Sequence, residues 1–312
     1  MTKIICGVDV SSEYLDARVG RDGAFTRAEN NPAGITELAD FCRTHGVDLV
    51  VMEATGGYEQ LPFALLWGEG IGCAIVNPRA VRRFAEAMGF LEKTDRIDAG
   101  IIAWYADVKR ICPQQPASAT QQHLRALVTR LRQITEAIVV QKNQRRLVDD
   151  AGVRASIDEI VAVLLRQAKA FETKIAELIQ ADPLWKAFDE AFRSIKGVAD
   201  RTVARIMAEL PEIGTLSNKA VTKLVGLAPI AKDSGKIKGK RSIRGGRSTV
   251  RSILFVVAEI VRRFDEDFAA FHKRLLEAGK PKKLIRVALA HKLLVRLNAK
   301  AREIRKNHPL PA

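Results

Sequence analysis

Four acidic residues in the first third of the sequence stand where their carboxylates could meet. Asp9 closes one apolar, strand-like run and Glu53 closes another, while Asp95 and Asp98 are three residues apart and share one face of a predicted helix. Hard divalent cations such as Mg²⁺ prefer carboxylate oxygens, and two such cations about 3.5–4 Å apart can hold the attacking and leaving oxygens of a phosphodiester. Each acid alone is more typical of a strand end or a helix N-terminus. The set of four favours metal-assisted phosphoryl chemistry.

A serine in the last third is a candidate nucleophile. Ser234 lies in Asp-Ser-Gly, within a segment rich in lysine, arginine and glycine. A serine hydroxyl is a weak nucleophile until a base or a cation activates it. Lys232, Lys236, Lys238 and Arg241 could stabilise its alkoxide and neutralise a phosphate. From the residues alone, however, the favoured interpretation is that Ser234 is one loop serine among several.

The charge of the chain is concentrated in its last part. The 312 residues carry a formal net charge of +15, distributed as −4 over residues 1–112, +1 over 113–190 and +18 over 191–312. Such asymmetry indicates a polyanionic partner for the C-terminal part, the alternative being a highly solvated surface. Because aromatic residues make up 6% of the chain, binding would depend on charge more than on base stacking. The predicted phosphate contacts, all within 230–251, are Lys232, Lys236, Lys238, Lys240, Arg241, Arg244, Arg247 and Arg251.

Several other classes of protein fit the sequence poorly. The four cysteines contain no CxxC pair and the five histidines no metal-binding spacing, which argues against a zinc enzyme. No apolar run approaches the ~18–20 residues that cross a bilayer, and the first residues resemble a strand rather than a signal peptide. We therefore expect a cytoplasmic protein without a membrane partner.

The elements that must position the four acids form an α/β pattern. Strands are predicted over 3–10, 14–19, 24–29, 48–52 and 73–76, and helices over 32–44, 58–68, 79–88 and 95–109. Three strands come first, and the later strands alternate with helices. Asp9 and Glu53 then end two strands of one sheet, and Asp95 begins the last of these helices.

The rest of the chain is predicted to be helical. After a linker over 112–116, apolar residues recur at 3- and 4-residue steps from Leu124 to Gln141 and again over 157–179, which indicates a helical hairpin broken near 149–152. This hairpin is either a packing or dimerisation arm or part of an internal core. Residues 195–210 are similar to a helix-hairpin-helix, a weak signal on its own. Long helices are predicted from residue 253 to about 276 and from 284 to about 304.

The motifs as a set resemble one transposase family. Gly-Val-Asp-Val-Ser, Met-Glu-Ala-Thr-Gly and Lys-Thr-Asp-Arg-Ile-Asp-Ala are similar to the ribonuclease-H-like, RuvC-type DEDD domain of the insertion-sequence one-ten family, which includes Piv-type invertases and bridge-RNA-guided recombinases. Gly-Leu-Ala-Pro, Asp-Ser-Gly, Ile-Arg-Gly-Gly-Arg and Val-Arg-Ser-Ile-Leu match its second domain. The resemblance implies a RuvC-like domain over 1–112, a helical hairpin or coiled coil over 113–185 and a basic, mostly helical transposase domain over 186–312.

The resemblance also implies a chemistry. Asp9, Glu53, Asp95 and Asp98 would hold Mg²⁺, or Mn²⁺ in its place, and Ser234 would be the catalytic serine. Donor and target DNA, a structured noncoding guide RNA and further copies of the chain, in a dimer or a tetramer, would be the partners of a bacterial enzyme. The alternative is a RuvC-like structure-specific endonuclease that uses water, and a third hypothesis is a nucleic-acid-binding protein with a degenerate nuclease fold.

Overall fold

A computed structural model of the chain describes residues 3–90, 95–231, 233–234, 239 and 241–308, and for residues 95–97 it describes the backbone alone. The chain divides into two compact units, Met1–Ala117 and Ser118–Ala312.

A five-stranded mixed sheet forms the centre of the first unit. Its strand order is β3-β2-β1-β4-β5. β1 pairs antiparallel with β2 and parallel with β4, and β4 pairs parallel with β5. Three antiparallel strands followed by parallel strands between helices fit the expected ribonuclease-H-like fold. The strands are β1 (Ile5–Val10), β2 (Tyr14–Val19), β3 (Phe25–Glu29), β4 (Leu49–Glu53) and β5 (Cys73–Val76).

Helices cover both faces of this sheet. On one face, α1 and α2 pack on the side chains of Cys6, Val8 and Val50. On the other, α3 and α4 pack on Ile5 and Val51. Asn31 and Asn77 cap α1 and α3, each followed by a proline whose fixed φ suits the first helical turn. The helices are α1 (Pro32–Thr44), α2 (Gln60–Gly68), α3 (Pro78–Ala87) and α4 (Asp95–Lys109).

The described residues of the second unit are mostly helical and share one hydrophobic core. That core joins the predicted hairpin stretch to the basic C-terminal helices, and the separate domain boundaries at 113–185 and 186–312 stay a prediction. The helices are α5 (Ala119–Arg145), α6 (Ala151–Ala181), α7 (Pro183–Arg193), α8 (Asp200–Glu209), α9 (Asn218–Val225), α10 (Ser248–Phe264), α11 (Glu266–Glu277) and α12 (Lys282–Asn307).

Two details of this unit differ from the periodicity analysis. The apolar period over 157–179 includes Ile160, but Ile160 is exposed and the buried stripe of α6 runs through Val161 and Ala168. The helix predicted from 253 to 276 is interrupted at Asp265, whose carboxylate accepts a hydrogen bond from the Phe268 amide at 3.3 Å and caps α11. Because the apolar spacing continues across this break, the periodicity does not indicate that one helix ends and another begins at Asp265.

Helix α12 holds the second core together. Asn298 is fully buried and accepts a hydrogen bond from the Gly214 amide at 2.9 Å. Its own amide donates to the Leu216 carbonyl and to the Asn218 side chain. Arg305 donates to the carbonyls of Ile213 and Pro211. The loop before α9 is thus bonded to α12 by groups that would otherwise be buried without partners.

The described helices include none that is both long and apolar enough to cross a membrane.

Candidate active site

Asp9 and Glu53 lie side by side on two neighbouring strands. In the parallel pairing of β1 with β4, Val8 is opposite Met52, so the next position of the register brings Asp9 opposite Glu53. Partners in a parallel pair project from the same face of a sheet, and neighbouring strands are about 4.8 Å apart. Both residues are half-buried. Two carboxylates therefore share one face at the C-terminal ends of β1 and β4.

Helix α4 brings Asp98 to the same edge. A few residues after the helix, the main-chain amide of Gln114 donates a hydrogen bond to the Cys73 carbonyl at 2.8 Å, at the start of β5. The C-terminal end of α4 therefore lies toward the N-terminal ends of the parallel strands, and α4 runs antiparallel to them. Its N-terminal turns consequently lie toward the strand ends that carry Asp9 and Glu53. Asp98, in the first turn, is half-buried. The Asp95 side chain lies outside the described residues.

The residues at this edge offer the kind of donor atom that a hard divalent cation prefers. Asp9, Glu53 and Asp98 offer carboxylate oxygens from two adjacent strand ends and the helix covering that face. Within the described part of the chain, no three His, Cys, Asp or Glu side chains already form a group that could hold a metal ion. A closed ligand set would thus need Asp95 or a rearrangement of the other three.

Sequence reasoning missed a buried acid beside Asp9. Asp16 on β2 is paired in register with Asp9 and is 5% exposed. Arg27 on β3 holds both its oxygens, at 2.8 and 2.9 Å, which compensates the buried charge. The strand pattern showed where Asp16 lies along the chain, but the pairing that brings it next to Asp9 comes from the register of the sheet.

A second missed carboxylate orders the loop that follows Glu53. Glu59 is buried and accepts hydrogen bonds from the amides of Thr55 and Gly57, both at 2.9 Å, and from the Gln60 side chain. Burial raises the pKa of Glu59, but these hydrogen bonds outweigh it and leave the pKa below its usual value. Gly57 adopts φ +115°, a conformation that other residues rarely reach. Gly57 and Glu59 together fix the conformation of the chain just after Glu53.

Ser234 is exposed on a loop closed by two main-chain hydrogen bonds. Ile230 and Ser242 form an antiparallel bridge, with N–O distances of 2.9 and 3.2 Å. Within the loop, the Asp233 carboxylate accepts a hydrogen bond from the Gly239 amide at 3.1 Å. Ser234 itself is exposed to solvent. The predicted phosphate contacts Lys232, Lys236, Lys238 and Lys240 lie outside the described residues.

The four described arginines of this segment fall into two pairs. Arg241 and Arg244 are exposed. Arg247 instead donates two hydrogen bonds to the Glu212 carboxylate, at 2.5 and 2.6 Å, and one to the Glu209 carbonyl, and Arg251 donates to the carbonyls of Val225 and Gly245. The latter pair thus anchors the segment to the helices beside it, a contribution that composition alone did not distinguish from phosphate binding.

The acid that holds Arg247 has a shifted pKa. Partial burial raises the pKa of Glu212, but the hydrogen bonds and positive charge of Arg247 outweigh burial and leave the pKa below its usual value.

The turn resembling a helix-hairpin-helix has a packing explanation. Gly197 adopts φ +97°, and a Cβ placed there would lie 3.0 Å from Cα of Val261 on α10. The glycine therefore allows α10 to approach the turn before α8 closely.

Comparison with known families identifies the class of protein to which the chain belongs. Residues 6–148 match the model of the DEDD domain of IS110 elements, described as Transposase, and residues 189–273 match the model described as Transposase IS116/IS110/IS902 family. The acid-bearing sheet and these two matches define a DNA recombinase of the transposase class. The chain belongs to the IS110 family, as the motifs predicted. A DEDD domain of this kind implies dependence on a divalent metal.

The individual relatives share about a quarter of their residues with this chain. The chain is 27% identical over 323 residues to the pilin gene-inverting proteins of Moraxella lacunata and Moraxella bovis, covering 99% of this chain and 98% of each relative. Comparison with the Thermus thermophilus RuvC structure gives a TM-score of 0.26 at 14% identity, over 36% of this chain and 99% of that one, a score too low to support a conclusion.

Proposed function

We propose that the protein cuts and rejoins DNA strands through a serine nucleophile assisted by Mg²⁺. The observation that carries the proposal is the alignment of Asp9 with Glu53 under the N-terminal turns of α4, where Asp98 also lies. Asp9, Glu53, Asp95 and Asp98 would hold the metal, with Mn²⁺ as a substitute. The bound cation would neutralise charge on the phosphate during the displacement.

Ser234 would hold one DNA end covalently between the cutting step and the rejoining step. Its Oγ attacks the phosphorus of one phosphodiester and loses its proton to solvent or to a nearby base. The bond to the leaving strand oxygen breaks, and that oxygen takes up a proton from solvent and becomes a free hydroxyl. A phosphoserine ester then holds one DNA end. The free hydroxyl of a new strand attacks that ester, and Ser234 leaves with a proton. Each phosphoester bond broken is replaced by one formed, so rejoining needs no external energy source.

Partners follow from charge and exposed surface. The net charge of +18 over residues 191–312 supports binding to donor and target DNA and to a structured noncoding guide RNA, the latter by family resemblance. The hairpin of α5 and α6 exposes Val139, Val140 and Leu147, the last of them 86% exposed. These apolar side chains support a dimerisation arm and, through it, a dimer or a tetramer.

One alternative has an observation in its favour. The acid site lies within the unit Met1–Ala117, which has its own sheet and core. A hydrolytic, RuvC-like endonuclease would need that unit alone for chemistry, and the basic helices would then only bind.

The nature of the product distinguishes the two functions. The full-length protein is incubated with Mg²⁺ and a nicked suicide substrate carrying the ends of its element, and the reaction is separated under denaturing conditions. We expect a covalent protein–DNA adduct that protease converts to a peptide-linked strand. Free nicked ends without an adduct would establish the endonuclease instead.

A further inference from the structure

A basic cleft lies between α10, α11 and α12, away from the loop of Ser234 in sequence. Its volume is about 710 Å³. Its floor is apolar, and its rim carries five cations together with Glu259 and His272. The floor is formed by Phe255, Leu276, Ile285 and Leu289, and the rim cations are Arg262, Arg263, Lys282, Lys283 and Arg286.

The positive charge of this cleft is largely uncompensated. Arg262 donates to Glu259 at 2.8 Å, and Arg286 is 3.9 Å from the same carboxylate. Among the described residues, Arg263, Lys282 and Lys283 form no ion pair, and Lys282 and Lys283 are exposed. Five cations facing one carboxylate in a concave surface concentrate the field and attract an anion.

The floor favours a ligand with a flat apolar face. The Arg286 guanidinium lies over the Phe255 ring, 4.6 Å from its centre, and Arg286 Nε is buried with no hydrogen-bond partner in the described part of the chain. Aromatic rings and guanidinium planes are the surfaces on which unstacked bases bind. An inorganic anion would leave this floor uncovered, and a duplex, whose bases are stacked inside, would contact the rim alone.

We propose that this cleft binds an unstacked nucleotide within a single-stranded segment of nucleic acid. The base lies against Phe255 and Arg286, and the flanking phosphates contact Arg263, Lys282 and Lys283. The inference rests on the proposed function, because strand exchange exposes single-stranded segments. DNA and guide RNA offer the same chemistry, and the assay below separates them.

The first test removes the stacking surface. The full-length protein is titrated into labelled oligo(dT), oligo(U) and a DNA duplex of equal length, without metal, and binding is followed by fluorescence anisotropy. Phe255→Leu keeps an apolar floor without the ring, and it should weaken binding of one or both single strands by roughly tenfold, the size expected for one stacked base, while duplex affinity is unchanged. Weaker binding of oligo(dT) alone identifies DNA as the source of the bound nucleotide, and weaker binding of oligo(U) alone identifies RNA. Unchanged single-strand binding, or an equal loss for the duplex, would overturn the proposal.

The second test removes charge and does not depend on folding of the first variant. The test protein is the double variant Arg263→Gln and Lys283→Gln. The control is the double variant Lys273→Gln and Lys280→Gln, which removes the same charge from exposed residues outside the cleft. The cleft double variant should reduce the magnitude of the slope of log affinity against log salt for single strands by about 1.4, or about 0.7 per lost phosphate contact. The control double variant should reduce this slope much less. Equal slopes would refute the cleft. Because neither assay involves cleavage, failure of the serine mechanism leaves both results intact.

Discussion

Gly7 and Ala99 are in direct backbone contact where α4 crosses β1. A Cβ on Gly7 would overlap the Ala99 carbonyl oxygen and lie 2.5 Å from the Ala103 amide nitrogen. Gly7 precedes Asp9 by two residues on the same face of the sheet, and Ala99 follows Asp98. The contact between two small residues therefore fixes how closely two of the proposed metal ligands approach each other.

Replacing Gly7 tests this relationship. Gly7→Ala should move α4 away from the sheet, lower the free energy of unfolding by about 1–3 kcal/mol and reduce strand cleavage, as measured by thermal denaturation and by a nicking assay. Gly68→Ala is the control, because its Cβ enters open space near the end of α2. A Gly7→Ala protein with native stability and cleavage would show that the packing is not tight.

Removing single acids should separate cleavage from binding. Asp9→Asn, Glu53→Gln and Asp98→Asn should each reduce metal-dependent cleavage to background, because each removes a proposed ligand of a divalent cation. Nucleic-acid affinity should change little, because the proposed phosphate contacts lie in the other unit. Cleavage and filter-binding assays on the same preparations measure the two properties. Asp22→Asn, at an exposed turn, should behave as native, and native cleavage by Asp9→Asn or Glu53→Gln would refute the metal site.

Three serine variants on one segment test the nucleophile. Ser234→Ala should abolish the covalent adduct and recombination while changing the free energy of unfolding by less than about 0.5 kcal/mol, since the residue is exposed. Ser242→Ala, at the bridge that closes the loop, and Ser248→Ala, at the start of α10, are matched controls that should retain the adduct. An adduct with Ser234→Ala but not with Ser242→Ala would show that the wrong serine has been chosen.

The lysines of the basic segment, together with the exposed Arg241, are the proposed phosphate contacts to neutralise first. Neutralising Lys236, Lys238, Lys240 and Arg241 should lower affinity for DNA and reduce the salt slope by about 0.9 per lost phosphate contact, with little change in thermal stability. An unchanged slope would show that these side chains face solvent in the complex.

The ion pair of Arg247 with Glu212 should contribute to stability in a pH-dependent way. Because the pKa of Glu212 is depressed in the folded protein, its contribution is present above the unfolded pKa of about 4.3 and is lost as the pH falls through the lower, folded value. Glu212→Gln should therefore lower the melting temperature at neutral pH, with a cost of about 1 kcal/mol for a pair whose side chains are 35% and 36% exposed. The difference from the native protein should shrink in acid. A constant difference from pH 7 to pH 3 would contradict this account.

Much of the first unit could be predicted because its signals are local. The strands Tyr14–Val19 and Cys73–Val76 and the helices Pro32–Thr44 and Asp95–Lys109 begin and end where the pattern placed them. Apolar runs define the strands, and an Asn-Pro pair marks the start of α1. These short-range features were sufficient to place Asp9 and Glu53 at strand ends.

What could not be predicted depends on residues distant in sequence. The pairing of Asp16 with Asp9 and Arg27 is set by strand register, and the bond from Arg247 to Glu212 spans 35 residues. Composition predicts that a basic segment exists, but it does not predict which arginines have carboxylate or carbonyl partners nearby. The same limit applies to Arg286, whose position over Phe255 depends on how α10 packs against α12.

The place of α12 in the second core has a consequence for synthesis on the ribosome. Residues 1–117 contain every strand and helix of their own unit, and they can fold as soon as they emerge. The second core lacks Asn298, Leu293 and Leu297 until residues 282–307 follow. A nascent chain therefore holds a folded first unit well before its serine-bearing unit is complete, and by the proposed mechanism an interrupted translation product could neither cut DNA through Ser234 nor rejoin it.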